Sequence, residues 1–584
     1  MDKKVYEFIA SQTGEKIVER KNCPNCGQEF AITDKDMEFY SKISPVFNGT
    51  KYEIPAPTLC PDCRLQRRLT RRNERKLYKR KCDLTGKDII SIYSEDKKDK
   101  VYSFDEWGTY EKWDPMEYGR DIDFSRPFFE QFNELLLQVP KNAIFYGSRS
   151  ENSIYNNYTS NLKDCYLVFD SMNNERCMHS LKVSFGNDCV DCSYTIHSEN
   201  CYECTDCMRS YNLFFGNSCT DCRDSYFLYN CNNCLNCFGC VGLDNKQYYI
   251  YNEEYTKEEY FKIIEKYLLK IKLWEIDEIK EKVRDLQNST PRRNLIMNNV
   301  ENSFWNNLDN SKNSIVCFDS FNLQNCKYSA KLHSTNDSYD FESWGDNCNL
   351  VYEWIAVWTN AYKALFGVCT WSNPNNIIYC CFISKCSDLF GCVWLKNKQY
   401  CILNKQYTKE EYEALVPKII EHMQRTWERW EFFPIKYSPF GYNETVAEDI
   451  FPLSKDQVID KWYKRMDKEY PINVPEWIEL VRAQDLPDNI SDVKDDILKK
   501  AVICEVSWKP FRIIKPELDF YRKHNLPLPR KHPDVRHLER LSQRAPRNLY
   551  LRTCNNCGKQ IVSVYPADSE FKVYCEECYN KQVY

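Results

Sequence analysis

Cys231-Asn232-Asn233-Cys234-Leu235-Asn236-Cys237-Phe238-Gly239-Cys240 sets a cysteine at every third position. The spacing reaches back through Cys222, Cys219, Cys207, Cys204, Cys201, Cys192, Cys189 and Cys177 to Cys165, always in multiples of three. In rows of eighteen, Cys201, Cys219 and Cys237 stack, as do Cys204, Cys222 and Cys240. Asn, Asp and Ser precede these cysteines, and short β-forming pieces such as Tyr226-Phe227-Leu228-Tyr229 lie between them. So strict an interval predicts a parallel β-solenoid, in which equivalent side chains ladder along the axis. Twelve and eighteen residues per coil both fit.

The same stretch returns later in the chain. Phe238-Gly239-Cys240-Val241 matches Phe390-Gly391-Cys392-Val393, and both copies run on to Tyr-Thr-Lys-Glu-Glu-Tyr, at 255–260 and 407–412. Upstream, Glu151-Asn152-Ser153 matches Glu301-Asn302-Ser303, and Phe169-Asp170-Ser171 matches Phe318-Asp319-Ser320. The middle of the chain is therefore a tandem duplication. Its second copy carries Ile383 and Leu389 where the first has Cys231 and Cys237. An aliphatic replaces a buried thiol easily and a metal ligand badly, so packing is the favoured role for these cysteines. The cysteine run resembles iron–sulfur spacing but lacks the ending of the bacterial ferredoxin motif. Each copy closes with a helix opened by a capping box, Thr256/Glu259 and Thr408/Glu411.

The two ends carry a different chemistry. Cys23-Pro24-Asn25-Cys26-Gly27 with Cys60-Pro61-Asp62-Cys63, and Cys554-Asn555-Asn556-Cys557-Gly558 with Cys575-Glu576-Glu577-Cys578, are paired Cys-x-x-Cys knuckles. Each knuckle puts two thiolates within reach of one ion, and four thiolates make a closed tetrahedral zinc site with no position for water. Two structural zinc ions are expected. Each end also holds an eroded ribbon. At the N-terminal end Thr85, Ser103 and Glu106 stand with Cys82; at the C-terminal end Cys504 and His532 survive.

Between ribbons lies Arg64-Leu65-Gln66-Arg67-Arg68-Leu69-Thr70-Arg71-Arg72-Asn73-Glu74-Arg75, followed by six residues rich in Lys and Arg. Read as one helix, Arg64, Arg67, Arg68, Arg71, Arg72 and Arg75 fall on one face. The C-terminal end repeats the pattern with Arg536, Arg540, Arg544, Arg547 and Arg552. Such a stripe needs an anionic counterpart. Nucleic-acid phosphate, RNA or DNA, is one; carboxylates of this chain or of a protein partner are the other.

The net charge of −5 over 584 residues does not itself select nucleic acid. No apolar run spans a bilayer and the start lacks a signal-peptide core, so a cytoplasmic protein without a membrane partner is expected. In that compartment the 32 cysteines are ligands or buried thiols rather than disulfides. No GxGxxG, Walker A, HExxH or GxSxG pattern occurs, so no enzyme and no small-molecule substrate are expected.

The runs Cys60-Pro61-Asp62-Cys63-Arg64, Asn73-Glu74-Arg75-Lys76-Leu77-Tyr78, Cys82-Asp83-Leu84-Thr85-Gly86-Lys87 and Phe238-Gly239-Cys240-Val241 resemble a family of bacterial cysteine-rich zinc-ribbon proteins. The resemblance implies a bacterial source and brings no activity with it.

The expectation is a mainly β chain with helices. A ribbon pair with its basic helix fills 1–105, solenoid-like copies 145–252 and 297–404, a helical connector 253–296, a helical or irregular region 405–500, and a second ribbon pair 501–584. Its expected function is non-enzymatic binding of nucleic acid through the Arg helices, with a protein-interaction scaffold built on the repeat copies as the alternative. A metal or redox role for the repeat cysteines is the third reading.

Overall fold

The computed structural model describes residues 2–145, 150–268, 271–342, 345–358, 360–468 and 474–583. The chain is mixed α/β, 27% helix and 29% strand, rather than mainly β. The helices outside the repeats account for the difference.

In the first copy, Tyr166 pairs in parallel with Met178, Met178 with Val190, Val190 with Tyr202 and Tyr202 with Phe214. Phe214 then pairs with Tyr226, Tyr226 with Phe238 and Phe238 with Ile250. Partners are twelve residues apart throughout, so each rung takes twelve residues and the eighteen-residue spacing is set aside. The cause is local. Every third residue, such as Asn200, Glu203, Asp206, Asp221, Asn230, Asn233 and Asn236, has a left-handed φ near +50°. Asn and Asp tolerate that region better than other L-residues, which is why they precede the cysteines. The turn at each third residue aims the next side chain inward.

Those inward positions form the core. Cys189, Cys192, Cys201, Cys204, Cys207 and Cys219 are fully buried there. The space between rungs is narrow, and a thiol fills it as a small hydrophobe. Burial pushes the Cys192 and Cys219 thiols well above the ordinary range, so they stay protonated and can donate. The single S–H of Cys204 has two carbonyl acceptors within reach, Tyr202 at 3.5 Å and Leu213 of the next rung at 3.2 Å. On the outside, Asn200 donates to Asn212 at 3.0 Å and Asn212 to Asp224 at 2.8 Å, a side-chain ladder along one edge.

The second copy follows the same plan with uneven rungs. Ile315 pairs with Lys327 and Lys327 with Tyr339, twelve residues on. Tyr339–Tyr352, Tyr352–Leu365 and Leu365–Ile378 are each one residue longer. An eleven-residue rung, Glu301–Lys312, first lowers the offset between copies by one, and these three insertions then raise it by three. Each copy ends in a short antiparallel hairpin, Tyr249–Ile250 with Glu253–Glu254 and Gln399–Ile402 with Lys405–Gln406. The capping boxes form as expected: Glu259 N–H donates to Thr256 Oγ1 at 3.3 Å and Glu411 N–H to Thr408 Oγ1 at 3.2 Å.

The chain folds as two compact units. One comprises 1–144, 293–466 and 546–569; the other comprises 145–292, 467–545 and 570–584. The N-terminal cysteine tetrad thus shares a unit with the second copy, and the stretch carrying Cys504 and His532 shares one with the first.

Candidate metal centres

Four hairpins share one knuckle geometry. In the first, strands Ile17–Asn22 and Glu29–Thr33 pair antiparallel around the turn. Cys23 N–H donates to the Gln28 carbonyl at 2.9 Å, and Gly27 N–H to the Cys23 carbonyl at 2.8 Å. Cys82 with Lys87 and Gly86, and Cys554 with Lys559 and Gly558, repeat both bonds at 2.8–3.0 Å. Cys504 with Lys509 and Trp508 repeats them at 3.1 Å. Gly27, Gly86 and Gly558 take φ of +74°, +71° and +72°, the left-handed turn for which glycine has no Cβ penalty. Trp508 adopts the same region at +59°.

The second pair of ligands comes from a helix start. Cys60 caps the helix Pro61–Leu69, and Cys63 lies in its first turn. Cys575 precedes the helix Glu576–Val583, with Cys578 in the same place. A helix N-terminus favours a thiolate through its unpaired N–H groups and dipole.

The sulfurs of Cys23, Cys26, Cys60 and Cys63 all lie within 4.8 Å of one another, as do those of Cys554, Cys557, Cys575 and Cys578. A tetrahedral ion with metal–sulfur bonds of about 2.3 Å sets its sulfurs about 3.8 Å apart. Cys26 Sγ and Cys60 Sγ stand at 3.7 Å. Asn25 Nδ2 donates to Cys63 Sγ at 3.2 Å, an outer contact that orients the ligand. Burial works against ionisation of Cys23, but backbone hydrogen bonds from Cys60, Cys26 and Asn25 bring its thiol down to about 7. Each tetrad can hold one metal ion, and among the described residues these two are the groups that qualify. The other two hairpin cysteines use their thiols otherwise. Cys82 Sγ accepts from Ser103 N–H at 3.3 Å, and Cys504 Sγ from Ser507 N–H at 3.3 Å.

No family model and no curated protein matches this chain. Among solved structures, a protein of Desulfovibrio desulfuricans G20 described as an acetyltransferase is similar at 11% identity and a TM-score of 0.10. The alignment covers 42% of this chain and 66% of that one, and likeness at this level carries no argument. Within the ribbon resemblance, what the structure supplies is the two cysteine tetrads.

The helix expected to carry the Arg stripe is shorter than its sequence suggests. The helix ends at Leu69, because Asn73 folds the chain into a turn that delivers Tyr78–Lys81 to the next hairpin. Asn73 Oδ1 accepts from Lys76 N–H at 2.9 Å, and its Nδ2 reaches the Ile92 carbonyl at 3.0 Å. Arg64, Arg67, Arg68, Arg71 and Arg72 are all buried, and Arg75 is partly buried. Arg64 Nε and Arg68 Nη1 meet the two oxygens of Asp340 at 2.9 and 3.0 Å. Arg67 bridges Glu353 at 2.7 Å and Glu431 at 3.0 Å, and Arg72 meets Glu74 at 2.6 Å. Burial opposes the charge on Arg64, and Asp340 together with Tyr40 and Tyr352 outweighs it, holding the guanidinium above its usual range. Arg71 lies over the Phe433 ring, donates to the Pro434 carbonyl at 3.2 Å, and is brought down by burial to about 10.

The other unit repeats the motif. Arg536 and Arg540, on the helix Pro533–Ser542, share Asp191, the second at 2.7 Å. Arg544 meets Asp206 at 2.8 Å. Arg547, which belongs to the first unit, reaches Asp319 at 3.5 Å, and Arg552 donates to the Pro566 carbonyl at 2.9 Å.

Sequence reasoning missed Asp191 and Asp340. Both occupy left-handed positions of the repeat, at φ +55° and +60°, where an Asp reads as one more turn residue. The duplication that pairs Phe169 with Phe318 also pairs these two, and two acids held in register were the available signal.

Proposed function

We propose that this chain is a zinc-binding, non-enzymatic interaction scaffold of the cytoplasm. Each tetrad holds one structural zinc, since four thiolates and a tetrahedral sulfur spacing suit that ion and leave no open coordination site. Each repeat copy is a β-solenoid of eleven to thirteen residues per coil, a reading supported by the parallel ladder of the described residues. Solenoids of this kind present long regular faces, and those faces are the binding surface.

The observation that carries this reading over the nucleic-acid one is the enclosure of Arg64 and Arg68 on Asp340. Those guanidinia are spent inside the protein, clamping a ribbon to its repeat. Among the described residues no helix is long and apolar enough to cross a membrane.

Elemental analysis of purified protein tests the metal assignment. About two zinc ions per chain, with no iron, supports two closed sites. Iron, or zinc well beyond two, would return the repeat cysteines to a metal or redox role.

A further inference from the structure

A cavity of about 260 Å³ lies against the first repeat copy. Part of its lining is two pairs of stacked rings from successive rungs. Phe215 and Phe227 stand 4.4 Å apart with planes 8° off parallel, and Phe214 and Tyr226 5.4 Å apart at 20°. The rest includes Ile271 and the end of the helix Lys515–Lys523, with His524 and Leu526. An apolar cavity of about 150 Å³ takes benzene, and drug-sized ligands fill about 300–1,000 Å³. A two-ring aromatic falls between those sizes.

Three polar groups define the rest of the ligand. Burial, with Asp224 nearby, pushes the Tyr226 phenol up to about 12, so it remains a neutral donor. His524 is held down to about 4 by burial and by Lys523, so it is neutral. Its Nε2 is enclosed and has no hydrogen-bond partner among the described residues, an orphan of the sort that ligands satisfy. Lys523 is exposed and forms no ion pair among the described residues. Lys280, over the Phe215 ring at 4.8 Å, is by contrast committed to Glu203 at 2.7 Å.

We propose that this cavity binds a planar two-ring aromatic carrying a carboxylate, with its rings on the Phe215–Phe227 wall and its charge at Lys523. The ring edges of the Phe215–Phe227 stack favour an edge-to-face aromatic contact, and the lysine selects the anion.

The test is calorimetric titration of the full chain with indole-3-carboxylate, and with uncharged indole for comparison. Saturable binding of the carboxylate at one site is expected. Lys523→Glu, at an exposed position, weakens the carboxylate by about tenfold or more and leaves indole within about twofold. Ile271→Phe narrows the cavity and weakens both ligands. Should that variant fail to fold, Lys523→Glu still decides. Failure of indole-3-carboxylate to bind, or binding that Lys523→Glu does not weaken, overturns the proposal.

Discussion

Arg68 and Asp340, each fully enclosed, meet at 3.0 Å, and the same carboxylate takes Arg64 from one helical turn earlier at 2.9 Å. Two cations on one buried acid are stable only because the flanking groups share the charge. Glu353 lies within the same enclosure and meets Arg67 at 2.7 Å. Removing the central acid therefore exposes more than one pair.

Asp340→Ala should cost about 3–5 kcal/mol, the range for leaving buried charges without their partner. Asp191→Ala should do the same to the unit containing Arg536 and Arg540. Urea unfolding of the two variants measures both losses. A change below about 1 kcal/mol in either would mean that the pair is solvated and worth no more than a surface bridge.

Cys60→Ser and Cys575→Ser should each lower bound zinc by about one ion per chain, because a closed site needs all four thiolates. Zinc content measured on the two single variants and on the double variant checks this. Retention of both ions in either single variant would contradict the tetrad assignment.

Cys192→Ala and Cys204→Ala should leave the zinc content unchanged and lower stability by about 1 kcal/mol each. Both thiols are fully buried core groups of the repeat. Loss of metal from either variant would show that the repeat cysteines are ligands after all.

His524 titrates at about 4 in the folded chain against an ordinary 6.5, because burial, and then Lys523, oppose its charge. The unfolded chain therefore takes up this proton first. The stabilisation due to neutral His524 is complete above about pH 6.5 and is lost as the pH falls toward 4. His524→Gln should flatten that part of the stability–pH curve. An unchanged slope in the variant would remove His524 from the account.

The sequence revealed the cysteine tetrads because each Cys-x-x-Cys knuckle is a local motif of four residues. The interval of three in the repeat was equally legible, since a left-handed residue at every third position leaves Asn and Asp as its signature. The length of a rung was not. Twelve and eighteen share the factor that the cysteines display, and only the pairing of Val190 with Tyr202 separates them. The length of the Arg helix was misjudged for a related reason. Helix formers ran from Arg64 to Lys81, but Asn73 and the demands of the next hairpin ended the helix at Leu69. Its counter-charges, Asp340 and Glu353, lie hundreds of residues away in sequence, where no local pattern points to them.

The most direct measurement is binding of the purified chain to labelled RNA and duplex DNA across a salt series, beside a variant with Arg64, Arg68, Arg72 and Arg75 changed to Gln. With these guanidinia held inside, the native protein should show no steeply salt-dependent affinity, and the variant should lose stability rather than binding. Tight binding that falls steeply with salt, with a shallower slope in a variant that remains folded, would contradict the account and return these arginines to a phosphate-binding face.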